Sequence, residues 1–170
     1  MEFVSGRRAV ALKNVSYGEE QIPDYIPGYV VMPSSLLIEG LAQTGGLLVG
    51  ELNGFRERVV LAKLGKVVFH GHPVPGDTLL YTAVLEDVKA GGAFVHATAH
   101  IGQQLLVEAQ IVFAHLDHRF DGVELFDPAE FLGILRCYGL YDVGRKADGT
   151  PLDVPEHLLA AERAMSAGVP

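Results

Sequence analysis

"DYIPGYVVMPSSLLIEGLAQTGGLLVGE", residues 24–51, is the stretch on which the reading of this chain turns. Between Tyr25 and Gly50 its only charged side chain is Glu39. The segment Tyr17–Val31 carries Gly18, Pro23, Pro27 and Gly28, which predicts a structured loop. From Pro33 the pattern turns helical. Pro33 suits a first helical turn, and Ser34 and Ser35 suit the free amides there. Apolar residues then wrap almost all the way round, so the spacing predicts a buried helix and not a surface one. A carboxylate taken out of water must be hydrogen-bonded, paired or protonated. Ser35 and Gln43 stand at i−4 and i+4 from Glu39, on its own helix face. Two readings fit Glu39: a structural polar cluster that orients the helix, and a general acid or base lining a cavity.

Outward from the helix, "RRAVALKNVS" (residues 7–16) and "RVVLAKLGKVVF" (58–69) read as strands. "PVPGD" (73–77) is a turn, "TLLYTAVLEDV" (78–88) a strand and "KAGG" (89–92) a tight connection. "AFVHATAHI" (93–101) and "QLLVEAQIVFAHL" (104–116) form a hairpin across Gly102 and Gln103. The expected fold is α+β, one long helix wrapped by an antiparallel sheet. A sheet with a single helix to cover it invites pairing with a second copy. The tail from Arg119 is expected to be a separate helical extension, dividing the chain into residues 1–118 and 119–170. "DPAEFLGILRCYGL" (127–140) starts with Asp127 as cap, Pro128 in the first turn and Glu130 at the capping-box spacing. "DVPEHLLAAERAM" (153–165) repeats the device with Asp153 and Glu156, and residues 142–151 between them read as a polar loop. Phe131, Leu132, Ile134, Leu135, Leu158 and Leu159 give the tail apolar faces that need covering.

Composition narrows the function classes. The 170 residues are 49% hydrophobic and 20% charged, enough to bury a core. A net charge of −8 argues against nonspecific nucleic-acid binding, which needs a basic surface. Arg56, Arg58, Lys63 and Lys66 cluster in this acidic chain, either as a solvated face or as a landing patch for an acidic partner. The one cysteine, Cys137, allows no internal disulfide and fits a reducing, cytoplasmic setting. The N-terminus shows no apolar signal core, and the stretch around residues 36–49 is too short and interrupted to span a bilayer.

Taken in order, "YIPGYVVMPSSLLIEGLAQ" resembles the signature of the β-hydroxyacyl–acyl-carrier-protein dehydratases, the hot-dog-fold enzymes of bacterial fatty-acid synthesis. That signature reads H-F-P-G, four residues, P-G-V, several apolar residues, then E-A-x-A-Q. Here Pro27 and Gly28 match its first P-G, Met32 and Pro33 the helix start, Glu39 the acidic catalytic residue, and Ala42 and Gln43 the A-Q. "RRAVALKNVS" matches the first strand, and "LAKLGKVVFHGHPVPGD" resembles a second landmark ending in V-x-P-G-D. The resemblance covers roughly residues 7–116. It implies a dimer with one continuous sheet, active sites at the dimer interface, an acyl tunnel beside the helix, and assembly into a trimer of dimers. The implied reaction is dehydration of a (3R)-3-hydroxyacyl thioester, carried on the phosphopantetheine arm of acyl carrier protein, with no metal or redox cofactor. The acidic carrier protein gives the Arg56–Lys66 patch a purpose. The resemblance places Glu39 and Tyr25 in catalysis and Gly28, Pro33, Ser34 and Gln43 around the substrate.

The departures bear on mechanism. The family's catalytic histidine falls at Tyr25, in Asp24-Tyr25-Ile26-Pro27-Gly28, and the glycine after the helix-start proline is Ser34. The family's N-terminal L-P-H-R-Y-P-F motif is absent, and an extended tail is present. Tyrosine ionises near pH ~10, so forming a phenolate at neutral pH costs about 4 kcal/mol. Tyr25 is therefore suited to donate, and Glu39 becomes the base. The helix N-terminus near Ser34 and the Gly28 amide are suited to hold the thioester oxygen. His70 and His72, at i and i+2, would share a strand face, yet they read as turn histidines before they read as metal ligands. His96 and His100 share a face with Thr98 and read as surface or interface. Cys137, on an apolar tail helix, has no base beside it in sequence and is not read as a nucleophile. Three functions compete: an acyl-thioester dehydratase (or the reverse hydratase), a non-catalytic acyl-binding or partner subunit, and a thioesterase in which Glu39 activates water.

Overall fold

The structure, a computed structural model, describes residues 1–22, 25–89, 91–116 and 126–167. Asp24, the turn residue Ala90, the expected boundary at 118/119 and the tail's first residues lie outside those described. In chain order the elements are β1 (Glu2–Val4), β2 (Arg8–Asn14), α1 (Ser34–Glu51), β3 (Val59–Phe69), β4 (Thr78–Lys89), β5 (Gly92–Ile101), β6 (Gln104–His115), α2 (Pro128–Cys137), α3 (Leu140–Val143), β7 (Gly144–Arg145) and α4 (Glu156–Ala167). The strands form one sheet in the order β3-β6-β5-β4-β2-β1-β7. Every pairing is antiparallel except the short β1–β7 contact. This is the hot-dog arrangement, with α1 packed against one face of the sheet.

Strand alternation decides which residues meet the helix. Along β5, Ala93, Val95, Ala97 and Ala99 are buried, while Phe94, His96, Thr98 and His100 take the other face. Ala83 of β4 and Ala109 of β6 continue the row of small residues across the sheet. Leu37, Leu41, Leu48 and Val49 of α1 pack onto that floor and are fully buried. The approach is close. A Cβ on Gly40 would stand 2.4 Å from Cζ of Tyr81 on β4, and one on Gly45 would stand 3.0 Å from Phe113 on β6.

Only one face of α1 is covered by its own sheet. Ser35, Glu39 and Gln43 are exposed, and Leu36, Ile38 and Ala42 are half-buried. The expectation of a helix buried all round is thus corrected for the single protomer. The sheet is one layer thick, so it can bury one side of a helix and no more.

The tail is tied to the body. Asp127 Oδ1 accepts from the amides of Ala129 (2.8 Å) and Glu130 (3.0 Å), the cap its spacing predicts. Leu132, Leu135 and Leu158 are buried in the common core, Phe131 and Leu159 are half-buried, and Ile134 alone of the expected six stays exposed. Phe131 packs edge-on against Phe55 beyond the end of α1, with ring centres 5.3 Å apart. Asp153 does not cap α4. Its Oδ2 accepts from Lys146 Nζ at 2.6 Å, and Pro155 O accepts from the amides of Leu158 (3.0 Å) and Leu159 (3.2 Å). Residues 142–151 are not wholly a loop either, since β7 pairs with β1. Ser34 and Ser35 do not cap α1, whose N-terminus has no side-chain cap. β3 ends at Phe69, so His70 and His72 lie beyond the strand, and the shared face they need is missing.

Two substitutions test this packing. Leu132→Ala is expected to lower the unfolding free energy by about 2–5 kcal/mol, read from the urea midpoint. An unchanged midpoint would mean that the tail is not docked. Gly40→Ala removes a helix-breaking residue yet drives a methyl into the Tyr81 ring, and is expected to destabilise by about 1–3 kcal/mol. A gain in stability would show that the ring yields freely.

Candidate active site

Two Pro-Gly turns set the start of α1. In the first, Tyr29 N donates to Ile26 O (2.9 Å) across Pro27 and Gly28, with Gly28 at φ 78. In the second, Asp77 N donates to Val74 O (3.1 Å) across Pro75 and Gly76, with Gly76 at φ 99. Proline presets the first central residue of such turns, and glycine alone takes the positive φ of the second without strain. The Asp77 carboxylate also accepts from Val74 N at 2.8 Å. Met32 N donates to Pro73 O (2.9 Å), so the two turns are joined just before the helix begins. Val31, Met32 and Pro33 are buried there, and Pro33 is the residue preceding the helix. The uncapped first-turn amides at Ser34 and Ser35 carry the positive end of the helix dipole.

One turn further on, Gln43 Nε2 donates to Glu39 Oε1 at 2.9 Å. The amide fixes one carboxylate oxygen and leaves the other to meet a reactant. Ser35, the other residue predicted on this face, makes no hydrogen bond to Glu39 among the described residues. Tyr25 is 47% exposed, as are its neighbours Ile26 (43%) and Tyr29 (59%). Within one protomer no hydrogen bond joins Tyr25 to Glu39 among the described residues. The structure therefore brings Glu39 and Gln43 together, and sets Pro33 and Ser34 at the helix start. It leaves the Tyr25 loop as an exposed flap.

The other singled-out residues fall elsewhere. His70 Nε2 lies 3.4 Å from Glu108 Oε1 on β6. Among the described residues no three His, Cys, Asp or Glu side chains gather closely enough to hold a metal ion. Among those residues, too, no helix is long and apolar enough to cross a membrane. Arg56, Lys63 and Lys66 are exposed, and Arg58 is half-buried.

Tyr81 lies beside the candidate site, and the sequence reading did not single it out. Its ring is buried against Gly40, its hydroxyl has no hydrogen-bond partner among the described residues, and burial with the nearby Glu19 charge pushes its pKa up to about 12. It borders a cavity of about 490 Å³ beside the Glu39 face of α1. The one sequence signal was alternation: Leu79, Tyr81 and Ala83 share the inward face of β4, and tyrosine is the odd member. A second cavity of about 400 Å³ adjoins the far end of α1, bordered by Glu51 and Tyr141. Burial and the Glu51 charge push Tyr141 to about 12 as well.

These phenols carry a pH prediction. Both pKa values rise from 10.0 to about 12 on folding, so their neutral forms favour the folded state. That contribution is whole below pH 10 and is lost as pH climbs towards 12. Stability is expected to fall over that window, and Tyr81→Phe with Tyr141→Phe to flatten the fall in pH-dependent denaturation. Tyr81→Phe alone is expected to raise stability near neutral pH by about 1 kcal/mol, because it removes an unpartnered buried hydroxyl. A loss of stability would mean that the hydroxyl is bonded in the free protein.

Comparison with known proteins bears on what such a site does. The FabA-like domain family matches residues 2–115, from β1 to the end of β6. The chain is similar to a 3-hydroxyacyl-[acyl-carrier-protein] dehydratase FabZ of Desulforamulus reducens, with 35% identity over 115 residues, covering 67% of this chain and 81% of that protein. It is similar to the FabZ of Pelotomaculum thermopropionicum at 37% over 110 residues, covering 64% and 79%. Among solved structures, smu.793 from Streptococcus mutans bound to acetyl CoA aligns with a TM-score of 0.55 at 15% identity, covering 68% of this chain and 86% of that one. An acyl-CoA hydrolase from Staphylococcus aureus, in complex with butyryl coenzyme A, aligns with a TM-score of 0.55 at 18% identity, covering 66% and 67%. At such identities the structural likeness speaks to the fold alone.

Proposed function

This chain belongs to the FabA-like family, and we propose that it dehydrates a (3R)-3-hydroxyacyl thioester, carried on acyl carrier protein, to the trans-2-enoyl thioester. The observation that carries the reading is the Glu39–Gln43 pair. A carboxylate stands where the family signature has its acid, with one oxygen held at 2.9 Å by the amide and the other without a hydrogen bond among the described residues.

In the proposed mechanism Glu39 takes the Cα proton. The electron pair of that C–H bond forms the new C=C bond as the C3–O bond breaks. Tyr25 donates to the departing hydroxyl, which leaves as water, and the proton on Glu39 returns to the phenolate. The first-turn amides by Ser34 and the Gly28 amide hold the thioester oxygen as negative charge gathers on it. The steps call on no metal or redox cofactor.

A second copy completes the proposed site. The open face of α1, the exposed Tyr25–Tyr29 flap and the free edge of β3 are what an isologous partner would cover. The assembly we favour is a homodimer that continues to a trimer of dimers. Arg56, Lys63 and Lys66, on the loop before β3 and on that strand, are the landing patch for the acidic carrier protein, in the cytoplasm. We take residues 1–118 as the dehydratase body and 119–170 as its extension, although β7 and the buried tail leucines make them one packed unit.

A second reading has one observation behind it. Tyr25 in the histidine's place suits an acyl-binding partner subunit without turnover of its own. Hydration of enoyl thioesters separates the readings. Glu39→Gln keeps shape and hydrogen bonding and is expected to lower kcat about 10²–10⁴-fold. Tyr25→Phe is expected to slow turnover less, and Tyr25→His to raise it. Inactive wild type with an active Tyr25→His variant would support the silent subunit. Equal rates in wild type and Glu39→Gln would remove Glu39 from the mechanism, and release of free thiol with the C=C bond left intact would indicate hydrolysis.

A further inference from the structure

The 490 Å³ cavity has walls of two origins. One is the hot-dog body: Gly40, Gln43 and Leu47 on α1, Tyr81 on β4, and residues of β1 and β2. The other is the tail: Cys137 at the end of α2, Tyr138 at the corner, and Leu140 and Val143 of α3. The tail residues lie beyond the family match, which stops at residue 115. The resemblance implies an acyl tunnel beside the helix, but it cannot supply this wall.

We infer that the C-terminal extension forms the closed side of the acyl-chain pocket, and that Cys137, Tyr138, Leu140 and Val143 limit it to medium-length linear chains. For the identity of the ligand this rests on the dehydratase reading. Three features carry it. First, Gln43 both holds Glu39 and lines the cavity, so the cavity begins one side chain away from the carboxylate. Second, polarity runs the right way. The Tyr81 hydroxyl, without a hydrogen-bond partner among the described residues, stands against Gly40 and offers a donor to an oxygen near the head of the bound chain. The apolar part of the lining includes Phe3, Leu47, Leu140 and Val143. The charged lining residues are engaged elsewhere: Lys13 Nζ lies 2.8 Å from Glu19, and Glu2 Oε1 lies 3.8 Å from Arg8. Third, size fits. From Gly40 to Leu47 the helix rises about 10 Å, and the volume lies within the usual range for small-ligand pockets. Branched or bulky acyl groups would meet the β2 wall.

Cys137 makes the inference testable, because it is the chain's single cysteine, is exposed, and lines the cavity. The full-length protein is treated with a maleimide in the presence of amide analogues of acyl-pantetheine, from butanoyl through octanoyl to hexadecanoyl. Protection of Cys137 is expected to deepen about fourfold per methylene buried, then to stop growing at medium length. Cys137→Trp, at an exposed position that leaves the core intact, is expected to move the preferred chain in binding calorimetry to a shorter one with an unchanged melting temperature. Labelling that is equally fast with every analogue overturns the inference, whether or not the enzyme turns over. So does an unshifted chain preference in Cys137→Trp. Length-dependent protection without turnover keeps the pocket and sinks the dehydratase reading. Turnover without protection does the reverse.

Discussion

The contact between Gly40 and the ring of Tyr81 is the constraint from which the site follows. With a hydrogen in place of a side chain, α1 can settle onto β4 until no room is left for a methyl. That contact sets the rotation of the helix. Once position 40 faces the sheet, residues 37, 41, 44 and 48 follow it inward at helical spacing, and 35, 39 and 43 are turned outward. Glu39 is therefore placed by packing on the far side of its own helix, and its hydrogen bond to Gln43 forms on the face left open.

The two Pro-Gly turns govern where the helix starts. They sit more than forty residues apart in sequence, yet both are tight reversals of the same kind, and backbone bonds tie them to one another and to the end of β2. An exposed flap from Tyr25 to Tyr29 results on one side, and an uncapped helix N-terminus on the other. Both are unfavourable features for an isolated domain, and a surface that seals them would also exclude water from the Glu39 carboxylate.

The tail changes the body it joins. It lengthens the sheet past β1, brings Leu132, Leu135 and Leu158 into the common core, and turns a groove beside α1 into a walled cavity. At the opposite edge β3 pairs with no further strand among the described residues, and Lys63 and Lys66 lie along it. The molecule is thus closed at one end of its sheet by its own chain and open at the other.

Short-range physics was legible in the residues alone. Alternation along β4, β5 and β6, the turn at Gly102, the Pro-Gly pairs and the Asp127 cap each depend on neighbours a few positions away, and the motif order around Glu39 pointed to the fold. Where the reading failed, the deciding partner was distant. Asp153 has capping chemistry, but Lys146 came within 2.6 Å and took it. His70 and His72 have ligand spacing, but the strand stops at Phe69. Glu39 stands among apolar neighbours in sequence, yet burial belongs to surfaces and not to strings of residues, and one sheet covers only one side of a helix. Tyr81 and Cys137 sit in unremarkable stretches. Only the folding of β4, α1 and the tail onto one another made them walls of the same cavity.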